Sequence, residues 1–330
     1  MNADLTKRLF KAIAVGSDKD MERLCRKVID EENSKGHSVL AHQLESILKG
    51  KKTSLVSEPK TDSERAMQAL PTSRRYQDPL LVRLDRDSLR HFMVLPEHVE
   101  MRFARIEQEY AARERLAAFG LRHKKKILIY GQPGCGKTLG AERLAWSTGL
   151  PLVKVRFDAL ISSYLGESGI NLRAVFESAK ERPCVLFLDE CDFIAKSRSN
   201  QNDVGEIPRL VNTLLQLLED YDAPGLLVAA TNLDKQLDKA LFRRFDDVFE
   251  VSPPGGEEIE KLLKFTLSAI PVSRDIRWDA LVDRLTGMSA ADVVKIAQDA
   301  AKRTVLSARS LVHQDDLTFA LSEVYNQDQS

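Results

Sequence analysis

Four residues define the first chemistry this chain can do: Gly131, Gly136, Lys137 and Thr138, spaced as G-x-x-x-x-G-K-T within the run KILIYGQPGCGKT. Glycines let backbone N–H groups turn inward around an anion, and a helix beginning near Lys137 aims the positive end of its dipole at the same point. Gln132, Pro133, Gly134, Cys135 and Gly136 are therefore expected to cradle a phosphate chain, with Leu139 adjoining it. Lys137 would reach the β and γ phosphates, and the Thr138 hydroxyl would hold Mg²⁺. A second site of chemistry follows the apolar run VLFL, which leads straight into Asp189 and Glu190. Two acids at the carboxyl end of a buried strand suit metal-assisted hydrolysis: Asp189 to hold Mg²⁺ directly or through water, and Glu190 to orient and deprotonate the water that attacks the γ-phosphate. A third strand-like run ends at Thr231 and Asn232, whose amide could hold the attacking water or the γ-phosphate. Arg243 and Arg244, between Phe242 and Phe245, read either as ordinary surface charge or as the cation that a phosphoryl-transfer transition state calls for, supplied by a neighbouring subunit.

These groups need elements that hold them together. Ile127, Leu128 and Ile129 have the branching of a buried strand and stop at Gly131. Downstream, strand-like runs at 151–155, 185–188, 226–230 and 248–251 alternate with helical patterns at 139–147, 172–179 and 207–218, which predicts an α/β parallel sheet with crossover helices. Upstream, residues 80–84 could form a short strand. Pro96 opens a helix with apolar positions Val99, Phe103, Ile106 and Tyr110, and Gly120 ends that helical region. After Pro253 and Pro254 the alternation stops, and stripes such as Val293, Ile296, Ala297 and Ala300 predict a small helical domain. At the other end, Leu5, Leu9, Phe10 and Ile13, then Met21, Leu24, Val28 and Ile29, then Leu40, Leu44 and Ile47 predict a three-helix bundle. The expected organisation is a helical bundle over 1–50 for docking an adaptor or partner, a polar linker over 51–91, a large α/β subdomain over 92–254 and a helical lid over 255–330.

Composition excludes several functions. Lys plus Arg equals Asp plus Glu at 49 each, so no global field recruits nucleic acid or membrane. Basic residues near Lys51 and at Arg74 and Arg75 read as a solvated linker before they read as a nucleic-acid contact. Cys25, Cys135, Cys184 and Cys191 form no C-x-x-C pair, which favours free thiols in a reducing compartment, and Cys135 beside Lys137 reads as a tolerated small residue before it reads as an oxidation-sensitive thiolate. His37 and His42 share no helical face and read as surface residues. No apolar stretch reaches membrane-spanning length and the amino end is charged from Asp4, so a cytoplasmic location is expected.

In their order, GQPGCGKT, VLFLDE, AATN and LFRRFDD resemble the AAA+ ATPases of the classical AAA clade, over about residues 92–320. The resemblance implies ATP with Mg²⁺ as ligands of a P-loop fold. It implies a ring homo-oligomer, usually of six, with ATP at subunit interfaces and Arg243 and Arg244 acting in trans. Asn232 matches the family's first sensor. GMSAAD, containing Gly287, Ala290 and Ala291, is similar to the lid motif that packs small residues on the base, and Gly120 sits where the family's backbone meets adenine. Tyr164, Leu165 and Gly166 match the pore loop with which such rings grip an extended polypeptide; the other reading packs Tyr164 in a core. No metalloprotease H-E-x-x-H follows the lid. The expected activity is ATP-driven remodelling or unfolding of a protein threaded through the ring. The alternative is a nucleotide-controlled switch acting on a partner enzyme such as a protease or nuclease.

Overall fold

The structure, a computed structural model, describes residues 71–72, 78–161, 167–192, 206–232 and 239–327. All of them fall within the unit Leu70–Ser330. The bundle expected over 1–50, most of the linker, and the pore-loop residues Tyr164, Leu165 and Gly166 lie outside the described residues.

In chain order the elements are β1 (Leu81–Leu84), a 3₁₀ turn (Arg86–Ser88), α1 (Glu97–Ala111), α2 (Arg113–Ala118), β2 (Lys126–Tyr130) and α3 (Lys137–Thr148). Then follow β3 (Leu152–Val155), α4 (Phe157–Ile161), α5 (Ser168–Glu181), β4 (Val185–Leu188), α6 (Glu206–Glu219), β5 (Leu226–Thr231), α7 (Lys239–Phe242) and β6 (Asp247–Glu250). Helices α8 (Gly256–Thr266), α9 (Trp278–Leu285), α10 (Ala290–Leu306) and α11 (Gln314–Gln327) complete the described chain.

The strands form one six-stranded sheet in the order β1-β3-β4-β5-β2-β6. Every neighbouring pair is parallel except β1 with β3, where Leu81 lies opposite Val155 and Leu84 opposite Leu152. The sequences VLFL of β4 and LLVAAT of β5 are buried along their whole length because helices cover both faces, which is why they read as continuous apolar runs rather than alternating ones. Side chains of a strand point alternately to opposite faces, so each strand feeds two cores. Leu128, Leu186, Leu188 and Leu227 pack with Val175 and Phe176 of α5 and Leu214 of α6. On the other face Ile127, Ile129, Phe187 and Val228 pack with Phe103 and Ile106 of α1 and Leu144 of α3. A third core, with Leu263, Leu285, Ile296 and Leu321, holds α8 to α11 together as the lid.

One expected boundary moves. Leu81–Leu84 was expected inside the linker, although as a strand, yet β1 is an edge strand of the sheet and Leu80 and Leu81 are buried in the first core. The α/β body therefore begins before residue 92. The polar neighbours Arg83, Asp85, Arg86 and Asp87 hid this, because an edge strand needs only one buried face. Among the described residues no helix is long and apolar enough to cross a membrane.

Candidate active site

Parallel pairing places the carboxyl ends of β2, β4 and β5 along one edge of the sheet, where ligands bind in folds of this kind. There the phosphate loop, Asp189, Glu190 and Asn232 open onto a cleft of about 860 Å³ between the sheet and the lid. That volume lies in the range usual for small-molecule sites.

The loop's glycines are required by their surroundings. A Cβ at Gly131, which has φ +145°, would lie 2.3 Å from the Val251 carbonyl oxygen. At Gly134, with φ +77°, it would lie 2.5 Å from Ser289 Oγ at the foot of the lid. That close approach lets the Ala291 N–H donate to the Gly134 carbonyl at 3.0 Å, and it places Ala290 and Ala291 on the cleft wall. Ser289 Oγ in turn caps α10 by accepting from the Asp292 N–H. No side chain caps the amino end of α3 at Gly136, so its first amides face the cleft as an anion site. Lys137 is only 8% exposed; its Nζ donates to the Gly131 and Gln132 carbonyls at 2.8 Å each, and burial lowers its pKa from the ordinary lysine value. A buried ammonium resting on its own loop, beside uncapped amides, fits a phosphate chain.

The acids converge as their spacing predicts. Thr138 Oγ1 donates to Asp189 Oδ2 at 3.3 Å, and Asp189 Oδ1 accepts from the Glu190 N–H at 3.0 Å. Two neighbouring oxygens on octahedral Mg²⁺ stand about 2.9 Å apart, so this pair fits that ion with a small adjustment. The metal would supply charge neutralisation on the phosphate oxygens. Glu190 is exposed on the cleft at φ +52°, a conformation that non-glycine residues adopt at some strain.

Asn232 is held by a residue the sequence reading missed. Asp192 accepts from Thr231 Oγ1 at 2.7 Å, from the Asn232 N–H at 2.9 Å and from Asn232 Nδ2 at 3.1 Å. Its nearness to Asp189 and Glu190 in LDECD was the available signal; its partners at the end of the neighbouring strand β5 were not. Exchanging Asp192 for alanine would take away the acceptor that the buried Thr231 hydroxyl meets at 2.7 Å, a loss of about 1–3 kcal/mol, and free the Asn232 amide to rotate. We expect denaturant unfolding to show that loss and steady-state turnover to fall about tenfold or more; unchanged turnover would show that Asn232 needs no such support.

Other expected residues are placed differently. Gly120 does not line the cleft: it precedes the amino end of β2, whereas the phosphate loop follows the carboxyl end. Met93, Val94 and Leu95 line the cleft instead. They are held there by Arg90, whose N–H and Nε donate to Glu142 Oε2 and whose Nη2 donates to Oε1 at 2.7 Å, and by Phe92, which stacks on Phe265 of the lid with ring centroids 3.9 Å apart. Gly287 turns the chain at φ +90° but does not line the cleft. Cys135 is buried, and burial raises its pKa against the pull of Lys137, which disfavours the thiolate. Arg243 and Arg244 follow α7 and also lie outside the cleft of their own chain. Arg244 pairs with Glu219 at 3.3 Å, while Arg243 is exposed.

A phosphate loop, an Asp-Glu pair and a polar strand-end residue converging on one edge of a parallel sheet define a P-loop nucleoside triphosphatase. Residues 127–253 match the family model described as ATPase family associated with various cellular activities (AAA). An uncharacterized AAA family ATPase, y4kL, of Sinorhizobium fredii is 34% identical over 320 residues, covering 97% of this chain and 94% of that protein. The chain belongs to the AAA family of ATPases, in the classical clade of AAA+ proteins, and hydrolyses ATP. It is also similar to a proteasome-activating nucleotidase of Methanosarcina mazei, 33% identical over 238 residues, 70% of this chain and 56% of that protein. A putative 26S proteasome regulatory subunit homolog of Methanocaldococcus jannaschii is 33% identical over 224 residues, 67% of this chain and 60% of that protein. The chain thus spans somewhat over half the length of these two relatives.

Proposed function

We propose that this ATPase assembles into a ring of six copies and uses ATP hydrolysis to unfold or remodel a protein drawn through the central pore. The observation that carries the reading is that Arg243 and Arg244 sit outside their own cleft, whose one lining arginine among the described residues, Arg90, is tied to Glu142, so the two are placed to serve the cleft of a neighbouring copy. The likeness to a proteasome-activating nucleotidase supports a protein substrate. In this reading Thr138 and Asp189 hold Mg²⁺, Glu190 activates water, Asn232 senses the terminal phosphate, and Met93, Val94 and Leu95 take the adenine position expected of Gly120. Tyr164, Leu165 and Gly166 grip the substrate, and residues 1–50 recruit it.

The test is Tyr164→Ala assayed on an unstable, tagged model protein. Hydrolysis should stay within about threefold of wild type while unfolding falls at least about tenfold, since an aromatic anchor carries a large share of a contact's free energy. If unfolding survives the exchange, threading is wrong. Survival together with capture of a protease or nuclease by the ATP-loaded protein would instead favour the switch reading.

A further inference from the structure

Asp189 already has a cation. Lys154 Nζ, reaching across from β3, donates to Asp189 Oδ2 at 2.7 Å, and this is the oxygen that also accepts from Thr138 Oγ1 at 3.3 Å. Strand register explains the reach: Lys154 lies opposite Phe187 on β4, with Nζ 5.8 Å from the Phe187 ring centroid, so its stem runs toward the β4 end where Asp189 follows. The Asp189 side chain is 16% exposed and the Lys154 side chain 39%, so the acid is fixed and the lysine has room to swing into solvent.

We propose that Lys154 is a resident counter-cation that occupies the Mg²⁺ position beside Asp189 and has to be displaced when the metal enters with nucleotide; this rests on the reading of Thr138 and Asp189 as the metal's ligands. A divalent ion drawing on Asp189 Oδ2 and an ammonium 2.7 Å from that same oxygen repel one another, so each excludes the other. The lysine therefore neutralises the carboxylate while the site is empty. It raises the Mg²⁺ concentration needed for tight nucleotide binding, and by linkage it hastens release once the metal's hold weakens. Sequence reading passed over Lys154 because a single lysine inside LVKV looks like the polar outward face of a strand.

Lys154→Met keeps the length of the side chain and removes its charge; Lys154→Arg keeps the charge. The experiment titrates MgCl₂ against binding of a fluorescent ADP analogue and measures melting with and without Mg·ADP. For Lys154→Met the half-saturating Mg²⁺ concentration should fall about fivefold, the size of effect that a partly exposed ion pair carries. Its melting temperature should fall only in the nucleotide-free protein, while Lys154→Arg should keep the wild-type metal dependence. Unchanged metal dependence in Lys154→Met, or equal loss of melting temperature with and without Mg·ADP, would reduce Lys154 to a structural partner and overturn this proposal alone. Wild-type binding indifferent to Mg²⁺ would overturn the metal-ligand reading along with it.

Discussion

Glu190→Gln is expected to bind ATP with wild-type affinity, within about twofold, and to hydrolyse it about 10²–10⁴ times more slowly, the contribution usual for a positioned general base. Glutamine has the shape of glutamate but cannot take the proton from the attacking water. The phosphate loop, Lys137 and the Thr138–Asp189 pair are untouched by the change, and in the proposed reading those are the groups that would meet the nucleotide in its ground state. Glu190 itself is exposed and its backbone N–H is held by Asp189 Oδ1, so the exchange removes no buried contact and should leave the melting temperature where it is. The split between binding and rate is the diagnostic, because an effect confined to kcat marks an interaction made only in the transition state. Single-turnover hydrolysis beside equilibrium binding of the same nucleotide reads both. A rate within about tenfold of wild type would remove Glu190 from the role of base and point to water delivered by Asn232 alone.

Most of the site was legible because its chemistry is local. G-x-x-x-x-G-K-T and the step from VLFL to Asp-Glu each lie within one strand and its following turn, so spacing alone places them at a sheet edge. The sheet was legible for a related reason: strands covered on both faces are uniformly apolar, and β4 and β5 read so. What escaped notice depends on side-chain reach between neighbouring strands. Asp192 after β4 meets Thr231 and Asn232 at the end of β5, and Lys154 of β3 meets Asp189 after β4; those strands follow one another in the chain, but no motif marks the residues that pair across them. Gly120 lies off the cleft for a geometric reason: it precedes β2, whereas the phosphate loop follows that strand. The residues that do line the cleft there, 93–95, carry no motif and are set in place by a distant ion pair, Arg90 with Glu142.

The two arginines supply the sharpest test of whether the cleft is shared between subunits. Arg243→Ala is expected to lower ATP hydrolysis by about 10³-fold or more, the scale measured for arginines that stabilise phosphoryl-transfer transition states. Arg243 is exposed and Arg244 is tied to Glu219 of α6, so the two should differ in stability: Arg244→Ala releases an ion pair and lowers the melting temperature, whereas Arg243→Ala leaves it unchanged. Mixing Arg243→Ala with Glu190→Gln protein then separates trans from cis action. Within one subunit each variant is inactive. At a mixed interface, the intact Glu190 of one copy faces the intact Arg243 of the next, and at equal proportions about one interface in four has that arrangement if subunits assort at random. Hydrolysis should therefore peak near an equal mixture and fall on either side. An arginine acting within its own chain gives no such peak, because neither variant carries both groups, and residual activity would simply interpolate between the two parents. A flat profile with confirmed subunit exchange would leave Arg243 acting within its own chain or not at all, and remove the main support for an interface site.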